Sequence, residues 1–378
     1  MIGRILSETI LSRIQKPGKV IILYGARQVG KTTLIQEMLK QQSARVLEIS
    51  ADQVQYHDIL SSRNLDKMKG LVAGYDILFI DEAQRIPDIG INLKILYEGI
   101  PELRIIVTGS SSLDLANQIK EPLTGRTWTY KLYPVSAAEW QTHAGLNTYE
   151  LQQKIPDWLR YGLYPEVLTL DNHEDKRQYL NELTSSYLYK DILEIGNIRY
   201  PQKIRQLLSL LAYQLGNLVS IQELANTLQI NRETILHYID LLEKSFVIFT
   251  LGPYSRNLRK EITSKNKIYF YDLGIRNALI ENFSPIDLRP DLGALWENYL
   301  LMERKKKMEY SRSYPNMYFW RTYSGAEVDF VEEKDGLVTG YEFKWQSKSS
   351  SAPKAWMDTY GQESWKVIDK ENFGEFVL

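Results

Sequence analysis

Gly25-Ala26-Arg27-Gln28-Val29-Gly30-Lys31-Thr32-Thr33 sets two glycines, a lysine and two hydroxyls at the spacing of a phosphate-binding P-loop. Each residue type has a reason to be there. Glycines let backbone N–H groups turn towards phosphate oxygens, a helix N-terminus adds a positive end, Lys31 reaches the β- and γ-phosphates, and the Thr32 hydroxyl is a hard oxygen donor for Mg²⁺. The loop as a whole, Gly25 to Thr33, is the expected ATP contact. A plain glycine turn between a strand and a helix is the competing reading, and the Lys-Thr pair argues against it.

Further along, Ile77-Leu78-Phe79-Ile80-Asp81-Glu82 carries two carboxylates to the end of an apolar strand, a Walker B element. Asp81 is suited to hold Mg²⁺ through water, and Glu82 to polarise the attacking water. Ser110, closing Thr108-Gly109-Ser110, is placed to sense the γ-phosphate. Arg126, in Leu123-Thr124-Gly125-Arg126, is the arginine-finger candidate, acting in its own site or in that of a second copy in a homo-oligomer; the alternative is a surface arginine at a turn.

These groups need rigid elements behind them. Val20–Tyr24, before the loop, is a short run rich in β-branched residues and reads as a buried parallel strand, while Thr33–Lys40 after it has a helical composition. Arg45–Ser50, Tyr75–Glu82, Arg104–Ser110 and Trp128–Leu132 read as further strands, with helical stretches such as Asn92–Tyr97 between them. That alternation predicts a parallel sheet covered by helices, with ligand beyond the carboxyl ends of the strands.

At 378 residues the chain is long for one domain. A composition that is 44% hydrophobic and 25% charged is that of a folded globular protein, and no apolar run is long enough to span a bilayer. The first residues lack the pattern of a secretory signal, and the absence of cysteine excludes disulfides and thiolate zinc sites and suits a cytoplasmic location. The four histidines show no metal-ligand spacing, and a net charge of −1 leaves nucleic-acid binding to local patches.

The P-loop, Phe79-Ile80-Asp81-Glu82-Ala83-Gln84, Val107–Ser112, Leu123–Arg126, Leu132-Tyr133-Pro134-Val135-Ser136 and Tyr161-Gly162-Leu163-Tyr164-Pro165-Glu166 together resemble a large family of prokaryotic AAA-like ATPases, across nearly the whole chain. The chain departs from that pattern at Ala26, where the family usually has proline. The resemblance implies an AAA-like P-loop domain over residues 1–136, with a strand lying between the P-loop and Walker B strands, and ATP and Mg²⁺ as cofactors.

Residues 137–200 read as a helical connector rich in tyrosine, including Tyr187–Ile192. Residues 201–278 read as a winged helix-turn-helix: a first helix from Ile204, a second capped by Ser220, a third from Arg232 to Ser245 capped by Asn231 and buried through Ile235, Ile239, Leu242 and Phe246, then a wing from Phe246–Phe249 to Lys267–Asp272. Glu233, Asp240 and Glu243 oppose Arg232 and Lys244 on the third helix, which disfavours a major-groove role; the wing, with Arg256, Arg259, Lys260, Lys265 and Lys267, suits phosphates better. A protein-contact role is the alternative.

In residues 279–378, Glu297 falls on a predicted helix, Asp329 ends a strand over 327–331, and Glu342 and Lys344 alternate onto one face of the next strand. This resembles the PD-(D/E)XK nuclease site, and the resemblance implies Asp329 and Glu342 as metal ligands, Glu297 assisting, and Lys344 acting on water. The alternative is a hairpin with a surface Glu-Lys pair. The Arg304-Lys305-Lys306-Lys307 run is either a phosphate contact or a solvated helix face. Three functions follow: an ATPase that couples hydrolysis to conformational change and acts on nucleic acid through the wing or the C-terminal domain, a nucleotide-dependent protein-binding switch with an inactive nuclease-like scaffold, or a phosphodiesterase.

Overall fold

A computed structural model describes residues 2–110, 122–188, 200–255, 265–346, 350–361 and 364–378. The chain divides into two compact units, one built on Met1–Pro134 and one on Val135–Leu193, Asn197–Glu243 and Val247–Leu378.

In the first unit, β1 (Val20–Tyr24), β2 (Val46–Ser50), β3 (Ile77–Asp81), β4 (Arg104–Gly109) and β5 (Thr127–Lys131) form a parallel sheet in the order β2-β3-β4-β1-β5. Strands β1, β3 and β4 have a neighbour on each side and are almost wholly buried, which accounts for their unbroken apolar composition. The edge strands β2 and β5 leave Glu48 and Thr129 in solvent. Strand β4 is the expected element between the P-loop strand and the Walker B strand. Helices Leu6–Ile14, Lys31–Lys40, Leu65–Val72 and Ile89–Gly99 each bury an apolar stripe, such as Leu34, Ile35, Met38 and Leu39. Because the strands run the same way, the loops after β1 and β3 emerge at one edge of the sheet.

The second unit begins with short helices between Ala137–Ala144 and His173–Glu182. Helices Pro201–Tyr213, Ile221–Leu228 and Arg232–Lys244 follow, with the two expected caps in place: Ser220 Oγ accepts from Glu223 N, and Asn231 Oδ1 from Thr234 N at 2.7 Å. Beside them, β8 (Asn266–Phe270) pairs antiparallel with both β6 (Leu218–Val219) and β7 (Ile248–Pro253). The wing residues Arg256, Arg259 and Lys260, and Tyr189–Ile192 upstream, lie outside the described residues.

Strands β9 (Asn316–Arg321), β10 (Glu327–Lys334), β11 (Leu337–Phe343) and β12 (Trp365–Ile368) continue the same sheet, in the order β12-β11-β10-β9-β7-β8-β6. The join is the parallel pairing of Gly252 and Pro253 with Tyr318 and Phe319, so the strands on either side of residues 278 and 279 share one sheet. Asp335 and Gly336, at φ of 53° and 82°, make the two-residue hairpin turn that matches strand twist. This turn carries β10 on to Lys334, so Asp329 lies inside the strand rather than at its end. The β9–β10 register shifts between Val328 and Val331, a bulge around Asp329. The helix Leu292–Tyr310 buries Leu295, Trp296, Tyr299, Leu300 and Met302.

Candidate functional site

The P-loop follows β1, and the Lys31–Lys40 helix begins at its lysine. Lys31 is buried, and its Nζ donates to the carbonyls of Gly25 at 2.9 Å and Ala26 at 3.0 Å, with Glu82 Oε1 at 3.7 Å. Thr32 Oγ1 donates to Asp81, 2.9 Å from either carboxylate oxygen. Lys31, Thr32, Asp81 and Glu82 therefore meet at the carboxyl ends of β1 and β3. Ala26 and Val29 are buried in the loop wall, while Gln28 and Thr33 are exposed.

The carboxylates are tuned differently. Burial pushes the Asp81 pKa up, and hydrogen bonds from Thr108 and Thr32 only partly oppose it. Burial also acts on Glu82, but the Lys31 charge, hydrogen bonds from Gln84 and Ser110 and the Arg27 charge outweigh it, holding Glu82 below the usual glutamate range. Glu82 is thus an anion ready to orient or deprotonate water. Its backbone sits at φ 53°, a strained conformation that the Glu82 N–H stabilises by donating to Thr108 Oγ1 at 3.2 Å.

Three further side chains complete the network. Thr108, two residues before the expected Ser110, donates to Asp81. Gln84 Nε2 donates to Glu82 Oε2 at 2.6 Å and to Ser110 Oγ at 3.1 Å, a second link between Ser110 and Glu82. Arg4 braces the loop from outside the motif, its guanidinium donating to the carbonyls of Val29 at 2.8 Å and Tyr133 at 2.5 Å. A long-range arginine of this kind has no sequence signature. Thr108 was legible as a polar residue ending a strand.

Arg126 does not reach this site. Its carbonyl accepts from Val20 N, at the start of β1, and its guanidinium pairs with Glu98 at 3.0 Å. Strand β5 must still run to Lys131 to reach the P-loop edge, about 16 Å at the usual rise of ~3.3 Å per residue. A role in the chain's own site is therefore excluded by the sheet's polarity.

The C-terminal residues singled out do converge. Lys344 Nζ contacts Glu342 Oε1 at 2.6 Å, Asp329 Oδ2 accepts from Phe343 N at 2.9 Å, and Glu297 faces them from the Leu292–Tyr310 helix. Burial, then the charges of Glu297 and Glu342, push Asp329 up to about 8. The expected metal role meets an obstacle. Among the described residues no three histidine, aspartate or glutamate side chains stand in a metal-holding arrangement. Glu297 instead accepts from Lys267 at 3.1 Å and Tyr269 at 2.5 Å, and Glu342 is taken by Lys344.

Lys267 is consequently buried and paired, not a phosphate-facing wing residue. The basic run dissolves in the same way. Arg304 clasps Glu332 through two hydrogen bonds at 2.6 and 2.8 Å, Lys306 is buried against Glu303 and the Val135 carbonyl, and Lys307 donates to the Glu375 carbonyl. Glu243 turns from the third helix onto β7, accepting from the Thr250 N–H and hydroxyl.

The Tyr161–Glu166 motif is architectural. Leu163 N donates to the buried carboxylate of Asp272 at 2.7 Å, and a Cβ on Gly162 would lie 2.0 Å from Asp272 Oδ1, so only glycine fits. Burial lifts Asp272 to about 6, against the backbone N–H groups of Leu163, Ile275 and Gly274 and the Lys306 charge.

Residues 17–141 match a family model described as an AAA domain, and residues 152–286 and 292–364 match two models each described as a domain of unknown function. An uncharacterized protein of Mycobacterium tuberculosis is 31% identical over 347 residues, covering 90% of this chain and 73% of that protein. An uncharacterized protein of Methanocaldococcus jannaschii is 24% identical over 406 residues, covering 96% of this chain and 87% of the relative. Among solved structures, a Walker-type ATPase of Pyrococcus abyssi shares the fold with a TM-score of 0.50 at 15% identity, over 74% of this chain and 96% of that one. The first unit is a P-loop ATPase domain of the AAA class that binds ATP. The chain belongs to the family of the mycobacterial protein, an AAA domain followed by two domains of unknown function. No described helix is long and apolar enough to cross a membrane.

Proposed function

We propose that the chain is an ATP-driven switch: it hydrolyses ATP at the Lys31–Asp81–Glu82 site and uses the cycle to change how its second unit meets a protein partner. The observation that carries the catalytic part is the meeting of Lys31, Thr32, Asp81 and Glu82 at one sheet edge. Lys31 exchanges its loop carbonyls for β- and γ-phosphate oxygens. Thr32 and Asp81 are hard oxygen donors in contact, which suits them to hold Mg²⁺, and that ion would offset phosphate charge when bound. Glu82, kept anionic by Lys31 and held by Gln84, orients the attacking water and accepts its proton.

The protein-partner reading is favoured over nucleic acid by the fate of the cations. Among the described residues Lys267, Arg304 and Lys306, three of the cations singled out for phosphate contact, are committed to carboxylates inside the second unit and are not available to neutralise a nucleic-acid backbone. The discriminating experiment is steady-state ATP hydrolysis with and without duplex DNA, single-stranded DNA and RNA at low salt. Turnover unchanged by all three is expected. A several-fold stimulation that salt abolishes would replace the protein partner with nucleic acid.

A further inference from the structure

Lys267 is a lysine on a strand that is buried from its second residue onwards. Its side chain is 2% exposed and passes over the Phe319 ring, with Nζ 5.5 Å from the centroid. Nζ ends 2.6 Å from Glu327 Oε1 and 3.1 Å from Glu297 Oε1. Tyr269, two residues on and on the same face of β8, donates to the same Glu297 oxygen. A buried ammonium is tolerated only where opposite charge and hydrogen bonds surround it.

We propose that the Lys267 ammonium is the resident cation of the C-terminal carboxylate cluster, standing where a divalent ion would stand among Glu297, Glu327 and Asp329, so that the cluster holds together without metal. The inference is independent of the ATPase reading.

The charge balance supports it. Glu297, Glu327, Asp329 and Glu342 face Lys267, Lys344 and Arg321, the last pairing with Glu327 Oε2 at 3.2 Å. Glu297, Glu327 and Glu342 each have an ammonium within ion-pair distance, at 3.1, 2.6 and 2.6 Å. A divalent ion placed there would sit beside the Lys267 ammonium, a like-charge contact in a buried setting. The two short contacts to Glu327 and Glu297 offset the desolvation of the buried ammonium. The cluster then works as a tie: Lys267 on β8, Glu297 on the Leu292–Tyr310 helix and Glu327 on β10 are drawn to one point although β8 and β10 are not neighbours in the sheet.

The test is Mn²⁺ binding, by electron paramagnetic resonance and calorimetry without nucleotide, to the full chain carrying Asp81→Asn so that the P-loop site contributes nothing. That chain should bind no Mn²⁺ with submillimolar affinity, and its melting temperature should not respond to the ion. Adding Lys267→Met, which keeps the apolar stem and removes the charge, should create one Mn²⁺ site at least tenfold tighter. Stoichiometric Mn²⁺ in the Asp81→Asn chain that is lost on further Asp329→Asn substitution would overturn the proposal. So would a folded Lys267→Met chain that gains no affinity. Should Lys267→Met fail to fold, the comparison of the first chain with its Asp329→Asn derivative decides alone.

Discussion

Gln84 Nε2 lies 2.6 Å from Glu82 Oε2 and donates to it. The amide fixes the rotamer of the Glu82 carboxylate and ties it to Ser110 through a second bond at 3.1 Å. Gln84 is therefore a positioning residue. Gln84→Ala should lower kcat by roughly tenfold, a fraction of what a positioned base supplies, and leave KM for ATP unchanged. A KM change at constant kcat would instead place Gln84 in ATP binding.

Arg4 makes charge-assisted hydrogen bonds to the carbonyls of Val29 and Tyr133 from outside the loop. Arg4→Ala should cost about 3 kcal/mol of stability and weaken ATP binding. Arg4→Lys should recover only part, since an ammonium cannot reproduce the planar fork. Thermal melts with and without ATP measure both effects; unaltered ATP affinity in Arg4→Ala would mean the brace does not shape the loop.

Much of the first unit was legible because each feature there is local. β1, β3 and β4 are apolar because they are central, and the P-loop and Asp81-Glu82 follow them directly. The Arg126 motif gives no direction and leaves its own site, a second copy's site and a surface turn all open; direction comes only from β5 running parallel to β1. In the second unit strand alternation places Glu342 and Lys344 on one face, and the resemblance to the PD-(D/E)XK site implies the convergence with Asp329 and Glu297. Lys267 was not legible, since a lysine flanked by Asn266 and Ile268 on a strand looks solvent-facing until the Leu292–Tyr310 helix is laid across it.

Arg126 pairs with Glu98 at the edge of the sheet away from the P-loop. Arg126→Ala should leave ATP turnover unchanged at protein concentrations where the chain is monomeric. If specific activity of the parent rises with concentration, the variant should lack that rise. Loss of turnover in the monomer would contradict the placement of Arg126.

Asp272 is buried and its pKa is lifted to about 6 from the ordinary 3.8. The folded chain then holds a proton there between those values that the unfolded chain releases, so this group's contribution to stability is fully present below about 4 and is lost as pH rises through about 6. The size is roughly 3 kcal/mol. Asp272→Asn removes the titration. The stability of the parent relative to Asp272→Asn should therefore fall between pH 4 and pH 6, read from denaturant midpoints; a constant difference would show that Asp272 is ionised throughout.

Phosphate release from ATP by the purified chain and by Glu82→Gln, each paired with an ATP-induced rise in melting temperature, tests the catalytic account most directly. The parent should hydrolyse ATP with Mg²⁺ present, and Glu82→Gln should keep the thermal shift while losing turnover at least a hundredfold. Lys31→Ala should lose both. A thermal shift in the parent with no phosphate release, or full turnover in Glu82→Gln, would contradict hydrolysis at this site by Glu82.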